Sequence, residues 1–320
     1  MIALVSGGSG FIGSHLVATL RARGVEVRTL ARPLPPDEHL ARDPLWHGVT
    51  HLFHLAARTR APHAAAFHEA NVRFTERLIA AATAQPVPPH LLFVSSLAAA
   101  GPSPAWGHPR RETDPPTPVE GYGRSKLAAE RRLQALAAAA GERLPWTILR
   151  PPGVYGPRDR DFLTLFRQLQ RPMHWRATPG WHAHTITHVH DVVSALLLAA
   201  DQASTRGRVY HLGGDDVTWD GLYDAVAAAL DTCTPKSSRR RVALPVPPPL
   251  LTMAGHAGGL WARLTGHVPL ASPDKIILGR QPWWLSSGAA LTADTGWHPT
   301  VSLADGLRDT ARWYRANGWL

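Results

Sequence analysis

Cysteine is nearly absent from the 320-residue chain, since Cys233 is the only one. An internal disulfide is therefore excluded, and a reducing compartment, by default the cytosol, is the expected location. We expect no signal peptide, because Met1 leads directly into a short apolar run without a basic segment. No apolar stretch reaches the roughly eighteen residues that a membrane-spanning helix needs. The nearest, Leu244 to Trp261, is interrupted by four prolines and three glycines, and we expect it to be a lid or pocket segment.

Lysine is scarce in a chain that is otherwise basic. It occurs only at Lys126, Lys236 and Lys275, so 31 of the 34 basic residues are arginine and the formal net charge is +10. Such a charge is typical of nucleic-acid-binding proteins, and Arg239 to Arg241 is the sharpest local cluster. The other arginines are scattered and no nucleic-acid motif accompanies them, so we expect no nucleic-acid partner.

The eighteen histidines give no clear metal site. His182, His184, His188 and His190 form the densest group, but their alternating spacing points along strand faces. No carboxylate or thiolate is obviously assembled with them, and a metal site needs such converging ligands. We therefore expect no metal.

Short apolar runs and helical patterns alternate along the first half of the chain. The helical patterns are Phe11 to Arg23, Phe67 to Ala84, Tyr122 to Ala140 and, later, Val192 to Ala203. The runs that predict strands are Ile2 to Ser6, Val25 to Leu30, Leu52 to Leu55, Leu91 to Ser95, Trp146 to Leu149, Thr187 to Val189 and Val209 to Leu212. Unbroken apolar strands between helices are typical of a parallel sheet covered on both faces. The chain therefore predicts an α/β doubly wound fold, whose sheet the last two strands rejoin.

A glycine-rich turn follows the first predicted strand. Gly7, Gly10 and Gly13 are spaced as G-x-x-G-x-x-G, with Phe11 and Ile12 opening an apolar helix face. Glycines at such a turn let backbone N–H groups approach a pyrophosphate, and the N-terminus of the following helix attracts the anion. The position of the turn between a buried strand and a helix predicts a dinucleotide site.

The clearest catalytic signal is a tyrosine four residues before one of the three lysines. Tyr122 and Lys126 stand at the start of an alanine-rich helix, where this spacing puts both side chains on one face. A phenol has a pKa of about 10, and a neighbouring ammonium stabilises its phenolate. We therefore expect Lys126 to lower the pKa of Tyr122 and to make it an acid–base group.

Ser96 directly follows the predicted strand Leu91 to Ser95. It therefore stands at the carboxyl edge of the sheet, where open parallel sheets bind their ligands. A serine at a strand end also caps loops, and that role alone would explain it. Beside Tyr122 and Lys126, a catalytic role is the better interpretation, with Ser96 donating a hydrogen bond to a substrate oxygen.

These motifs together resemble the extended short-chain dehydrogenase/reductase family, or NAD-dependent epimerase/dehydratase family. Further matches cover nearly the whole chain: Phe53 to Ala57, Asn71 and Val72, Leu149 to Gly156, His188 to Val192, Gly306 and Leu307, and Trp313 to Arg315. The stretch Val242 to Leu264 is similar to the 3-beta-hydroxysteroid dehydrogenase-like branch. The resemblance implies a Rossmann-type domain (1–157 and 184–214) and a smaller, mainly C-terminal substrate lobe (158–183 and 215–320).

The resemblance also implies the site residues. Ser96, Tyr122 and Lys126 would be catalytic, with Tyr122 and Lys126 contacting the cofactor as well. The other cofactor-binding residues would be Gly7, Gly10, Phe11, Ile12, Gly13, Arg32, Leu55, Ala56, Ala57, Asn71, Pro151 and Val154. Arg32 follows the second strand where NAD-binding members carry a carboxylate, and a guanidinium there pairs with a 2′-phosphate. We therefore predict NADP(H) as the preferred cofactor, with NAD(H) as the alternative.

Two departures from the family pattern stand near the second strand. Only about twenty residues separate that strand from His54, which is too few for the usual helix, third strand and second helix. The third strand is therefore expected to be vestigial or missing. The aspartate that contacts adenine in relatives has only Asp43 as a weak counterpart.

The resemblance implies reversible hydride transfer between nicotinamide and a carbonyl or alcohol. The apolar stretch Leu244 to Trp261, with Trp283 and Trp284, favours a small, hydrophobic ketone or alcohol substrate over a nucleotide sugar. A nucleotide-sugar epimerase or dehydratase is the first alternative, and a non-catalytic NADP-binding sensor is the second. Relatives commonly dimerise through the helix that carries Tyr122, which implies a homodimer.

Overall fold

The computed structural model describes residues 1–30, 35–141, 143–233, 241–269 and 272–320. The strands in chain order are β1 (Ile2–Ser6), β2 (Glu26–Leu30), β3 (His51–His54), β4 (His90–Val94), β5 (Trp146–Arg150), β6 (Gly153–Tyr155), β7 (Met173–Arg176), β8 (Ala183–His188), β9 (Arg208–His211), β10 (Asp215–Thr218), β11 (Val242–Pro245) and β12 (Trp283–Trp284). The helices are α1 (Phe11–Ala22), α2 (Asp37–Leu40), α3 (Ala64–Phe67), α4 (Phe74–Thr83), α5 (Leu97–Ala100), α6 (Gly121–Ala139), α7 (Asp161–Leu169), α8 (Val189–Asp201), α9 (Trp219–Cys233), α10 (Pro248–Thr265), α11 (Pro273–Arg280), α12 (Ala289–Thr295) and α13 (Leu303–Ala316). Short 3₁₀ turns cover Pro44–Trp46 and Ala203–Thr205, and a π-helix covers His68–Arg73.

The main sheet contains six strands in the order β2-β1-β3-β4-β5-β9, all parallel. All five residues of β4 are buried, as are the last four of β1 and of β5. One apolar core lies between this sheet and α1 with α8, and a second lies between the opposite face and α4 with α6. The predicted α/β fold with a doubly wound parallel sheet is confirmed, because unbroken apolar strands need helices on both faces.

The strand β2 is the edge of the main sheet, and in the described part of the chain no strand pairs with its outer side. The stretch between β2 and β3 holds only the short helix α2 and the 3₁₀ turn Pro44–Trp46. Trp46 from this turn is buried in the second core, and Asp43 caps the turn by accepting from Leu45 N at 2.9 Å. The third strand of the usual family sheet is therefore missing from the described residues, as the short spacing predicted.

Only one of the two late strands joins the main sheet. Strand β9 pairs with β5 and occupies the edge of β5 that faces away from β4. Thr187 and His188 of the predicted strand belong to β8, which lies in a second sheet with β10, β12 and β6, whereas Val189 begins α8. The expectation that it rejoins the main sheet is wrong, because β5 offers one free edge and β9 occupies it.

A third apolar core joins α7, α9 and α13, and it includes Phe166, Val226 and Tyr314. Strands β7 and β11 form a separate parallel pair, and α10 packs on α11. We propose this part, residues 158–183 and 215–320, as the substrate lobe.

Among the described residues, no helix has both the length and the apolarity that crossing a membrane requires.

Candidate active site

The glycine turn after β1 is packed so closely that side chains would not fit. Gly7 has a φ of +78°, and a Cβ on it would lie 2.6 Å from the backbone nitrogen of Ala56. A Cβ on Gly13 would lie 2.0 Å from the carbonyl oxygen of Gly7. The Gly7 carbonyl also accepts from the N–H of Gly10 at 3.0 Å, which closes the turn. Gly7 and Gly13 are therefore required by the geometry of the turn itself, whereas a Cβ on Gly10 would lie 3.2 Å from the carbonyl oxygen of Gly7.

The N-terminus of α1 opens from this turn without a side-chain cap. Gly10 is the N-cap residue, no side chain hydrogen-bonds there, and the first turn has no acidic residue. The first N–H groups of a helix need partners, and an anion satisfies them. Phe11 and Ile12 begin the helix, as predicted. The turn and the helix end together fit the pyrophosphate of a dinucleotide.

Three of the residues predicted to bind the cofactor pack against the same apolar core. Ile12, Leu55 and Val154 are partly buried against the apolar cluster that lies under α1 and α8. Ala56 lies next to Gly7, and Ala57 follows it in the loop after β3. The carbonyl of Pro151 accepts from Leu97 N at 2.8 Å, which ties the loop after β5 to the loop that carries Ser96. Arg32 lies outside the described residues.

Asn71 lies in the π-helix, and its amide group is occupied by protein partners. Its Oδ1 accepts from Arg58 N at 2.7 Å, and its Nδ2 donates to Arg58 O at 3.0 Å and to the Ser125 hydroxyl at 2.8 Å. Asn71 therefore positions the loop after β3 against α6, between Tyr122 and Lys126. A π-helix often marks a functional site, since it turns side chains that a regular helix would aim elsewhere.

The Ser96 hydroxyl and the Tyr122 phenol are brought together at the carboxyl edge of the main sheet. Ser96 caps α5 by accepting from Ala98 N at 3.2 Å, and it lies close enough to Tyr122 to lower the pKa of the phenol. Both residues line a cavity of about 870 Å³. The capping role that the sequence left open for Ser96 is present, whereas its hydrogen bond to a substrate oxygen stays a prediction.

Burial raises the pKa of Tyr122 well above its ordinary value, the Glu120 carboxylate raises it further, and the nearby Ser96 hydroxyl lowers it. The expectation that the pKa of this phenol is lowered is wrong for this structure, because burial and a nearby carboxylate outweigh the one group that stabilises the phenolate. Tyr122 is accordingly a neutral phenol at physiological pH.

Lys126 lies on the same face of α6 as Tyr122, but its ammonium is engaged with β4. Its Nζ donates to the carbonyl of Val94 at 2.7 Å and lies 4.0 Å from the centre of the Phe93 ring. Burial lowers the pKa of Lys126 to about 7, although the neighbouring Glu130 carboxylate raises it. A buried ammonium needs an acceptor, and the Val94 carbonyl supplies one.

Two carboxylates at this site were missed in the sequence. Glu120 is 1% exposed and caps α6, because its carboxylate accepts from the N–H groups of Tyr122 and Gly123. Glu130 is 2% exposed and pairs with Arg150, while the Ser95 hydroxyl donates to it. An acidic residue just before a helix is a capping signal that could have identified Glu120. Glu130 gave no local signal, because its partner lies on β5.

The cavity lining combines aromatic and aliphatic side chains with polar and charged ones. Its aromatic lining residues are Phe67, Tyr122, Trp175, Trp219, Tyr223 and Trp284. The two rings of His184 and Trp219 lie 4.6 Å apart, and burial lowers the pKa of His184 to about 4. Gly259 of α10 also lines the cavity, which places part of the predicted pocket segment there. Charged groups from Arg124, Arg263, Lys275 and the Arg60–Asp161 pair lie along the same lining.

The histidine group divides between two places. His182 and His184 line the cavity, whereas His188 caps α8 and its ring contacts that of His190. Within residues that the structure describes, no three or more His, Cys, Asp or Glu side chains are placed to hold a metal ion.

The model of the NAD dependent epimerase/dehydratase family matches residues 3–213. A 4-hydroxy-2-methyl-3-oxo-4-farnesyl-3,4-dihydroquinoline-1-oxide ketoreductase of Stigmatella aurantiaca is 32% identical over 235 residues, covering 66% of this chain and 68% of that protein. A ceramide reductase of Caulobacter vibrioides is 28% identical, covering 100% of this chain and 96% of its own. The solved UDP-glucose 4-epimerase of Thermus thermophilus, in complex with NAD, has a TM-score of 0.74 and 26% identity, over 98% of this chain and 99% of that one.

Proposed function

Because the chain belongs to the NAD-dependent epimerase/dehydratase family, it is an NAD(P)-dependent oxidoreductase, and we propose that it interconverts a hydrophobic ketone and the corresponding secondary alcohol. The observation that carries the proposal is the Ser96–Tyr122 hydroxyl pair facing a cavity with aromatic residues in its lining. The aromatic part of this lining offers apolar surface to a substrate, and such surface favours an apolar one. Two of the similar proteins are named as reductases, of a farnesylated quinoline oxide and of ceramide.

The chemistry assigns one role to each hydroxyl. A bound nicotinamide cofactor supplies or accepts the hydride. In the reduction, Tyr122 Oη delivers its proton to the developing alkoxide, and Ser96 Oγ donates a hydrogen bond to the same oxygen. The phenol of Tyr122 is protonated before the reaction, as a proton donor must be, and its raised pKa makes it a weaker acid than an ordinary tyrosine. Lys126 is the residue that would hold the ribose of the cofactor.

A preference for NADP(H) is part of the proposal and rests on Arg32, which comes two residues after the last residue of β2 in the sequence. Replacing Arg32 by serine removes the guanidinium that would pair with a 2′-phosphate. We expect the ratio of kcat/KM with NADPH to that with NADH to fall by about tenfold or more. A wild-type protein that already prefers NADH would contradict this assignment.

The second candidate is a nucleotide-sugar epimerase or dehydratase. Arg124, Arg263 and Lys275 in the cavity lining are cations that could face a pyrophosphate. The similar Thermus thermophilus protein is a UDP-glucose 4-epimerase. A non-catalytic NADP-binding sensor is the third candidate, and the juxtaposed Ser96 and Tyr122 argue against it.

One substrate screen separates the three candidates. The purified protein is supplied with NADPH or NADH and with two panels, hydrophobic ketones and nucleotide sugars, and nicotinamide absorbance and sugar products are followed. We expect turnover of the ketones, lost in Tyr122→Phe. Turnover of the sugars alone would support the epimerase or dehydratase. Cofactor binding without turnover of either panel would support the sensor.

A further inference from the structure

The outer face of α10 carries large apolar side chains that point into solvent. We define the outer face by Leu250, Met253, Leu260, Trp261 and Leu264, which are 55%, 67%, 60%, 58% and 76% exposed. Successive members are three, seven, one and three residues apart, which at 3.6 residues per turn places all five within about 100° of the helix circumference, on one stripe. Apolar patches of this kind on a folded protein mark interaction sites.

The opposite side of α10 is built from small residues that face the protein. Gly255, Gly258 and Ala262 are the buried residues of the helix. A Cβ on Gly255 would lie 2.0 Å from the Cδ1 of Ile276 in α11. The helix is thus anchored through glycine, while its bulky residues face outward. Packing within the protein does not account for them.

The sequence around this helix is strongly basic. Between residues 232 and 293 the only acidic residue is Asp274, against seven basic ones: Lys236, Arg239, Arg240, Arg241, Arg263, Lys275 and Arg280. Asp274 is half-buried at the cavity, where it accepts from Gly121 N at 3.4 Å. Arg263, Lys275 and Arg280 are exposed. The charge next to the outer face is therefore complementary to an anionic surface.

The substrate cavity opens beside the same helix. Gly259, Ala262 and Arg263 of α10 line the cavity, as do Trp175 and Lys275. Trp175 is 64% exposed, and Arg263 and Lys275 are exposed as well, so these three residues mark the mouth. A surface that bound the outer face would lie next to this mouth.

We propose that the outer face of α10 docks on an anionic lipid surface, with its large side chains in the headgroup region and the neighbouring cations on the lipid phosphates. Apolar residues including tryptophan, combined with basic side chains, are what an interfacial helix needs. A second part rests on the proposed function: the hydrophobic ketone enters the cavity from the lipid.

Vesicle flotation without substrate tests the surface. The full-length protein is mixed with vesicles of phosphatidylcholine alone or of phosphatidylcholine with phosphatidylglycerol. We expect flotation with the anionic vesicles, weakened by added salt because the cations contribute. The double variant Met253→Glu/Leu264→Glu should reduce the bound fraction about tenfold or more. Val87→Glu is the matched control, because Val87 is 81% exposed in the loop before β4, and it should float as the wild type does.

Three results would overturn the proposal: no flotation with anionic vesicles, equal flotation of the double variant and the wild type, or a dimer in light scattering that only the double variant dissociates. The last result would show that a second copy of the chain covers the outer face. The proposed function is judged separately by turnover of a water-soluble ketone. Turnover without flotation would refute only the lipid surface, and flotation without turnover of any ketone would refute only the proposed reaction.

Discussion

The guanidinium of Arg150 and the carboxylate of Glu130 form a buried two-point ion pair. Arg150 Nη2 lies 2.6 Å from Glu130 Oε2, and Arg150 Nε donates to Glu130 Oε1 at 3.0 Å. Arg150 ends β5 and Glu130 stands one helical turn after Lys126 on α6. The Ser95 hydroxyl, next to Ser96, donates to the same carboxylate. The pair therefore joins β5, α6 and the end of β4 directly beneath the candidate active site.

Glu130→Ala should destabilise the protein strongly. Removing one partner of a buried ion pair leaves the other charge without compensation, which costs about 3–5 kcal/mol of unfolding free energy. Urea unfolding measures the loss. Arg132→Ala is the control on the same helix, because Arg132 is 51% exposed and its pair with Glu76 should contribute less than about 1 kcal/mol. Equal losses in the two variants would contradict the buried role of Glu130.

Lys126→Met should lower the activity of the protein without lowering its stability. The buried ammonium is held at an energetic cost, as its lowered pKa of about 7 shows, and Glu130 keeps Arg150 as a partner when the lysine is gone. We expect the unfolding free energy to stay equal or to rise by up to about 2 kcal/mol. Turnover should fall by about a hundredfold or more, since the residue proposed to hold the cofactor is lost. A stable variant with wild-type kinetics would refute the assigned role.

Tyr122→Phe should abolish turnover and leave cofactor binding nearly intact. The variant lacks the proton donor but keeps the ring, so we expect kcat to fall by about a hundredfold to ten-thousandfold. Nicotinamide fluorescence titration should give a dissociation constant close to the wild-type value. Tyr155→Phe is the matched control, because Tyr155 is fully buried and its hydroxyl has no hydrogen-bond partner in the described structure. Equal rates for the two variants would eliminate Tyr122 as the acid.

Acid should destabilise the protein between about pH 6.5 and pH 4. Burial lowers the pKa of His90, His184, His188 and His211 to about 4 each. The unfolded chain, with histidine pKa values of about 6.5, binds more protons across this window, so stability falls as pH falls. Each histidine adds up to about 1.4 kcal/mol per pH unit to the slope.

Urea unfolding across that window measures this dependence. His90→Gln should reduce the slope of unfolding free energy against pH by the contribution of one histidine, since His90 is 3% exposed and its ring hydrogen-bonds the Thr147 hydroxyl at 2.9 Å. A slope that His90→Gln leaves unchanged would show that His90 does not titrate as its burial requires.

Local patterns in the sequence were enough to predict the six strands of the main sheet. The glycine turn, β1 and the start of α6 each depend on neighbouring residues, whose spacing is visible in one dimension. The missing third strand was also predictable, because chain length limits what twenty residues can build.

Only the tertiary structure decided which distant groups meet. Glu130 finds Arg150 on another element, the ammonium of Lys126 reaches Val94 instead of acting on Tyr122, and β8 joins a second sheet because β9 takes the edge of β5. The sequence predicted that the segment Leu244 to Trp261 is a lid or pocket segment, yet most of the large apolar residues of α10 face outward. These outcomes depend on burial and on competition for partners between segments far apart in the chain, and a one-dimensional pattern contains neither.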